Sequence, residues 1–231
     1  MSLRTLLPLE LRRRRRARRA PAGPLRRLYQ APLPSSATSW RDVDYLAVDL
    51  ETTGRDPGTD EIVSAGWVEL HGAVIQLGTA RRRLVRPSRA MPERSAVIHA
   101  ITDDEAAGGE PIESVLAELL EALAGRVLVA HYTPTELGFL DAACRRCFGV
   151  GLLVPAVDTL HLARQCCARR GSRPARGELR LDALREHYGL PPHAIHDALG
   201  DALAAAELFL AQAEELATGG SLRLGSLLAP V

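Results

Sequence analysis

The chain has 231 residues, 46% of them hydrophobic and 25% charged, which suits one well-packed domain with an appendage and excludes a chain too polar to fold. No apolar stretch reaches the roughly 18 residues that a membrane-spanning helix needs. A net charge of +1 conceals a divided chain, because residues 1–40 carry ten arginines against one acid, Glu10, and the remainder is acidic at −8.

The basic block "LRRRRRARRA" (11–20) is not followed by the apolar core of a secretory signal, since "PAGPLRRLYQAPLPSS" is broken by prolines. A cytoplasmic protein is the expectation. Residues 1–20 predict a short helix with Leu3, Leu6, Leu7 and Leu11 on one flank, and residues 21–40 an extended Pro/Ser linker. The pattern changes at residue 44, which divides the chain into an arm and linker (1–41), a body (42–217) and a short tail (218–231).

"DYLAVDLE" (44–51) alternates as a strand, and 61–70 and 73–85 continue it as an antiparallel meander turning at His71-Gly72. "PIESVLAELLEALAG" (111–125) has Pro111 in its first turn, apolar residues at 112, 115, 116, 119, 120 and 123, and a stop at Gly125, all signs of an amphipathic helix. A short buried strand at "RVLVAH" precedes a helix over 133–147. "VPAVDTLHLARQC" reads as strand into helix, "LRLDALREHYG" as a helix, and residues 196–217 as a long final helix with Leu199, Leu203, Ala206 and Leu210 in its core stripe. A meander followed by βα units predicts a mixed α/β sheet flanked by helices. The cysteines fall as Cys144/Cys147 and Cys166/Cys167 inside helical stretches, a setting that favours reduced thiols over the tight turns of zinc sites.

Residues i and i+2 of a strand share a face, so Asp49 and Glu51 project together from the end of the first strand. Two crowded carboxylates suit either solvent or a metal. Glu136, one turn into a helix after a buried strand, and His196 with Asp201, at the start of the last helix, complete a set of four acids and one histidine. Hard oxygen ligands at strand ends and helix starts can hold two divalent ions about 3.5–4 Å apart for phosphodiester hydrolysis.

Three segments carry a resemblance. "DLETTG" (49–54), "LVAHYTPTELGFL" (128–140) and "HDALGDALAAAELF" (196–209) resemble, in order, the three motifs of the DEDD superfamily of 3′→5′ exonucleases. The resemblance is to the histidine branch typified by polymerase III epsilon-like proofreading nucleases. "AVIHAITDDE" (96–105) and "VDTLHLAR" (157–164) resemble two further segments of that family, so the likeness spans about residues 42–216. It implies a ribonuclease H-like mixed five-stranded sheet and two Mg²⁺ or Mn²⁺ ions. Asp49 would bridge both ions, with Glu51 and Asp201 on one and Glu136 serving the other. His196 would be the general base, and Thr52, Thr53 and His99 would face the terminal nucleotide. The implied substrate is the 3′ end of single-stranded DNA or RNA, released as nucleoside 5′-monophosphates. A polymerase or a second copy of the chain stays open as a partner, as does a binding module that no longer cleaves.

This sequence departs from the family where Glu136 replaces Asp, Tyr132 replaces Asn, Thr135 replaces Phe and Ala100 replaces Gly. Most of these changes fall on the substrate side. Two assignments carry an alternative. Thr133-Pro134-Thr135-Glu136 also fits a capping box, in which Glu136 would only cap its helix, and His193 competes with His196 for the base. His131 reads as structural, Asp158 as ordering the helix after it, and Asp103, Asp104 and Glu105 as helix-start acids.

Overall fold

The computed structural model describes residues 9–89, 105, 107–175, 177–193, 196–218 and 220–229. Strands β1 (Asp44–Thr52), β2 (Ile62–His71) and β3 (Val74–Leu84) form the antiparallel meander, and β4 (Val127–Ala130) and β5 (Ala156–Asp158) extend it in parallel. The resulting order is β3-β2-β1-β4-β5, a mixed five-stranded sheet as expected. Gly72 makes the β2–β3 turn at φ +56, a left-handed conformation open to glycine without steric strain.

Both faces of β1 are covered, and its alternation sorts them. Leu46, Val48 and Leu50 join the core on one side, where α3 (Ile112–Leu123) and α4 (Pro134–Phe148) pack. Tyr45 and Ala47 point to the other side, among Val68, Leu70, Val127 and Val129 and beneath α7 (Ala198–Ala217). Asp49 and Glu51 continue this second row, so the strand's period directs both acids toward α7. Helices α5 (Thr159–Arg169) and α6 (Leu181–His187) flank α7. Fully burying each leucine of these faces contributes about 1.5–3 kcal/mol.

The N-terminal segment is part of this body. Helix α1 (Leu9–Arg19) packs on α2 (Pro24–Gln30), which packs on α3. A helix therefore stands where the prolines suggested an extended linker, with Pro24 at its first turn and Leu25, Leu28 and Tyr29 buried. Of the flank read in the sequence, Leu3, Leu6 and Leu7 lie outside the described residues and Leu11 is exposed; Leu9, Arg13, Ala17 and Ala20 make the contact instead. Arg13 is only 1% exposed, and its Nη2 donates to the carbonyls of Leu28 (2.6 Å) and Ala31 (3.2 Å). Arg16 Nη1 donates to Gly151 O and Leu152 O at 2.7 and 2.6 Å. The tail also packs, burying Leu222, Leu224 and Leu227 and bridging Val157 with Leu228. Among the described residues, no helix is long and apolar enough to cross a membrane.

Candidate active site

Four acids reach one place from three elements. Asp49 and Glu51 stand at the C-terminal end of β1, Glu136 in the first turn of α4, and Asp201 in the first turn of α7. Glu51, Glu136 and Asp201 are 6%, 3% and 9% exposed, and Asp49 is half-buried. Their proximity is written in their acidities. Burial, then the charges of Glu136, Asp201, Glu51 and Asp197, holds the Asp49 carboxyl well above the usual carboxylate range. Burial likewise lifts Glu136 to about 8, its own backbone amide opposing and the charges of Asp158 and Glu51 adding to the rise. Asp201 is raised by burial, against the pull of His193 and of the His196 amide.

The approach of α7 depends on Gly66. It pairs with Asp49 across the β1–β2 ladder, on the face that α7 covers. A Cβ there would lie 2.2 Å from the backbone of Ala198, so only glycine lets the helix start sit this close to the sheet. Small residues on the same helix, Ala202, Ala205 and Ala206, are buried in the contact. Asp197 caps α7 by accepting from Gly200 N at 2.9 Å, and Arg82 Nε of β3 holds the same carboxylate at 2.9 Å.

Both candidate histidines engage Asp201. His193 Nε2 lies 2.8 Å from Asp201 Oδ1, while the backbone amide of His196 donates to Oδ2 at 3.0 Å. His196 adopts φ +64 and is exposed. One ligand atom each from Glu51, His196 and Asp201 lie within 4.8 Å of one another, a spacing that can hold a metal ion.

The donor set fits a hard divalent cation. Its four acids supply carboxylate oxygens, with one imidazole nitrogen beside them, and Glu136 Oε2 is buried without a hydrogen-bond partner among the described residues. The capping box is incomplete, because Thr133 makes no side-chain cap and sends its hydroxyl 3.4 Å toward Asp158 Oδ2, while the Glu136 carboxyl meets its own backbone amide in the first turn. Asp158 orders the following helix as expected, accepting from Leu160 N (2.9 Å) and His161 N (3.4 Å), and it also takes the Tyr132 amide at 3.0 Å. His131 Nδ1 lies 2.8 Å from Thr159 Oγ1, consistent with its structural reading.

The substrate-side residues are less uniform. Thr52 and Thr53 are half-buried beside Glu51, but the Thr53 hydroxyl closes its own loop, donating to Asp60 Oδ1 (3.3 Å) and accepting from Glu61 N (2.9 Å). His99, Asp103 and Asp104 lie outside the described residues. The four cysteines are unbridged on α4 and α5. Sequence reasoning missed Gly66 and the Asp197–Arg82 pair. A lone glycine inside an apolar strand was the available signal for Gly66.

The exonuclease (RNase T) family profile matches residues 46–209. DNA polymerase III subunit epsilon of Aquifex aeolicus is 30% identical over 175 residues, which cover 76% of this chain and 83% of that one. DNA polymerase III PolC-type of Thermotoga maritima is 32% identical over 193 residues, covering 84% of this chain but only 14% of the relative. Among solved structures, E. coli exonuclease I in complex with a 5cy-dT13 oligonucleotide superimposes with a TM-score of 0.61 at 17% identity, over 72% of this chain and 40% of that one. Cell-death related nuclease 4 gives 0.66 at 14%, over 79% and 67%. The structural likenesses bear out the fold, the sequence likenesses reach the epsilon-like relatives that the motifs resemble, and the chain belongs to the exonuclease family.

Proposed function

We propose that this exonuclease removes nucleotides from the 3′ end of single-stranded DNA or RNA and releases nucleoside 5′-monophosphates with the help of two Mg²⁺ or Mn²⁺ ions. The observation that carries the reading is the convergence of Asp49, Glu51, Glu136 and Asp201, with a buried Glu136 oxygen that has no hydrogen-bond partner among the described residues. Asp49, Glu51 and Asp201 would hold one ion, Asp49 would reach the second, and Glu136 would serve that second ion. When bound, the cations neutralise the clustered carboxylates and polarise the phosphodiester. His196, which is exposed, accepts the proton of the attacking water on an imidazole nitrogen. Thr52, Thr53 and His99 would line the terminal nucleotide. The relatives named as DNA polymerase III subunits make a polymerase the partner to test first, by co-purification.

The test is a set of 5′-labelled single- and double-stranded DNA and RNA substrates with Mg²⁺, Mn²⁺ or chelator. A ladder shortening from the 3′ end, nucleoside 5′-monophosphate products and full arrest by chelator are expected. Binding without cleavage in either metal would leave a binding module, and chelator-resistant degradation would overturn the metal reading.

A further inference from the structure

The turn between β4 and α4 holds Tyr132 at φ +71. For a bulky residue this left-handed conformation is unfavourable and persists only where the surroundings enforce it. Asp158 enforces it, taking the Tyr132 amide on the same Oδ1 that caps α5, while Thr135 N donates to Tyr132 O at 3.1 Å. The clamp turns the ring outward to 51% exposure, whereas every other Phe, Tyr and Trp of the chain is buried or half-buried.

Beside the ring lies a hollow of about 390 Å³, walled by Leu160, Leu179 and Leu181 over His131, with Arg180 at its rim. His131 Nδ1 lies 2.8 Å from Thr159 Oγ1 beneath the hollow, and the Leu179 backbone acts on its imidazole from the other wall. The Arg180 side chain is 72% exposed, with Asp182 Oδ1 at 3.4 Å as its ion-pair partner. An apolar floor, a flat aromatic edge and a guanidinium at the mouth match the chemistry of a nucleotide: base against ring, phosphate against arginine. Tyr132 stands four residues before Glu136, and Asp158, which fixes its amide, acts electrostatically on that carboxyl.

We propose that Tyr132 and this hollow form a stacking subsite for one unpaired base of the bound strand, with Arg180 taking a neighbouring phosphate. The proposal rests on the nuclease reading for the presence of a strand, and it names a contact outside the four acids and His196. Stacking tolerates any base, so the subsite would select for unpaired strands rather than for sequence.

The experiment measures equilibrium binding of fluorescein-labelled dA12 in Mg²⁺ by anisotropy, with Asp49→Asn as the cleavage-blocked background. Tyr132→Phe keeps the ring, and Tyr132→Asn removes it while suiting the left-handed backbone. A set of abasic dA12 probes, each lacking one base, locates the contact. Expected are binding within about twofold of the background for Phe, and roughly 5- to 100-fold weaker binding for Asn. One abasic position should carry a penalty that vanishes in Tyr132→Asn, the signature of direct coupling. Arg180→Gln should flatten the slope of log K against log salt by about 0.7. Equal affinity for Phe and Asn, or abasic penalties unchanged in Asn, would overturn the subsite. Wild-type cleavage assayed in parallel separates the two failures: an inactive protein that keeps the abasic signature sinks the nuclease reading alone, and an active one without it sinks the subsite alone.

Discussion

His193 Nε2 lies 2.8 Å from Asp201 Oδ1, with both side chains 12% exposed, while His196 touches the same carboxylate through its backbone amide and is itself exposed. In the proposed reaction the two histidines would divide two tasks, His193 orienting the acid and His196 offering its ring to the attacking water. Removing His196 (His196→Ala) should lower turnover by about 10²–10⁴-fold, the range for a general base. His193→Ala should instead lose about 1.5–3 kcal/mol of stability, the value of a hydrogen bond to a charged group, and keep turnover within tenfold. Single-turnover cleavage and thermal melts on both variants decide the matter. A crippled His193→Ala beside an active His196→Ala would reverse the assignment.

Glu136 gives a pH signature. Its folded pKa of about 8 exceeds the ordinary glutamate value of about 4.3, so between those values the folded chain keeps a proton that the unfolded chain releases. Its contribution to stability is therefore fully present below about pH 4.3 and is lost as pH rises toward 8. The upward shifts of Asp49 and Asp201 act with the same sign. Metal-free protein should melt lower at pH 8 than at pH 5, and Glu136→Gln should reduce that fall while losing cleavage by orders of magnitude. Added Mg²⁺ or Mn²⁺ should raise the melting temperature of wild type at pH 8 by binding the folded state. Identical pH slopes for wild type and Glu136→Gln would remove Glu136 from the cluster.

The sheet and its acids were legible because period and chemistry agreed. The alternation of "DYLAVDLE" fixed the face that Asp49 and Glu51 share, and Asp201 was read from its place at the start of the last helix, in the "HDALGDALAAAELF" segment. Other features depend on partners distant in sequence. Arg13 is buried only because the carbonyls of Leu28 and Ala31 converge on it, which no local pattern announces. In α2 the apolar spacing of Leu25, Leu28 and Tyr29 was present, but the surrounding prolines suggested extension, and packing on α3 decided for a helix. The capping-box pattern at Thr133 failed because Asp158, 25 residues away, took the hydroxyl.

Gly66 links the sheet to the site. A methyl group there would meet the Ala198 backbone at 2.2 Å, and neither a main chain nor a packed strand yields easily. Gly66→Ala should push the first turn of α7 off β2 and carry Asp201 away from Asp49. A loss of about 1–3 kcal/mol in stability is expected from the overpacking, together with a loss of cleavage at temperatures where the variant remains folded. Wild-type activity in a folded Gly66→Ala protein would show that the site does not need this close approach.

The exposed face of α1 yields the last prediction. Arg13 and Arg16 are spent on backbone carbonyls of the body, which fixes the helix in place, and Arg14, Arg15, Arg18 and Arg19 are left exposed. Their spacing of three and four residues gathers them on one side, and Glu10, 3.3 Å from Arg14, is the one acid of α1. A rigid row of guanidinium groups on an otherwise acidic chain can hold the phosphates of a bound strand, each neutralised phosphate adding about −0.7 to the slope of log K against log salt for a single strand. Deleting the arm would uncover Leu25 and Leu28 and confuse binding with folding, so point substitutions are the cleaner test. Changing all four exposed arginines to alanine should leave the melting temperature nearly unchanged, weaken single-strand binding and flatten the salt slope by up to about 3. Hydrolysis of a mononucleotide ester, too short to reach α1, should proceed at the wild-type rate. An unchanged salt slope in a folded quadruple variant would assign this face to some partner other than the strand.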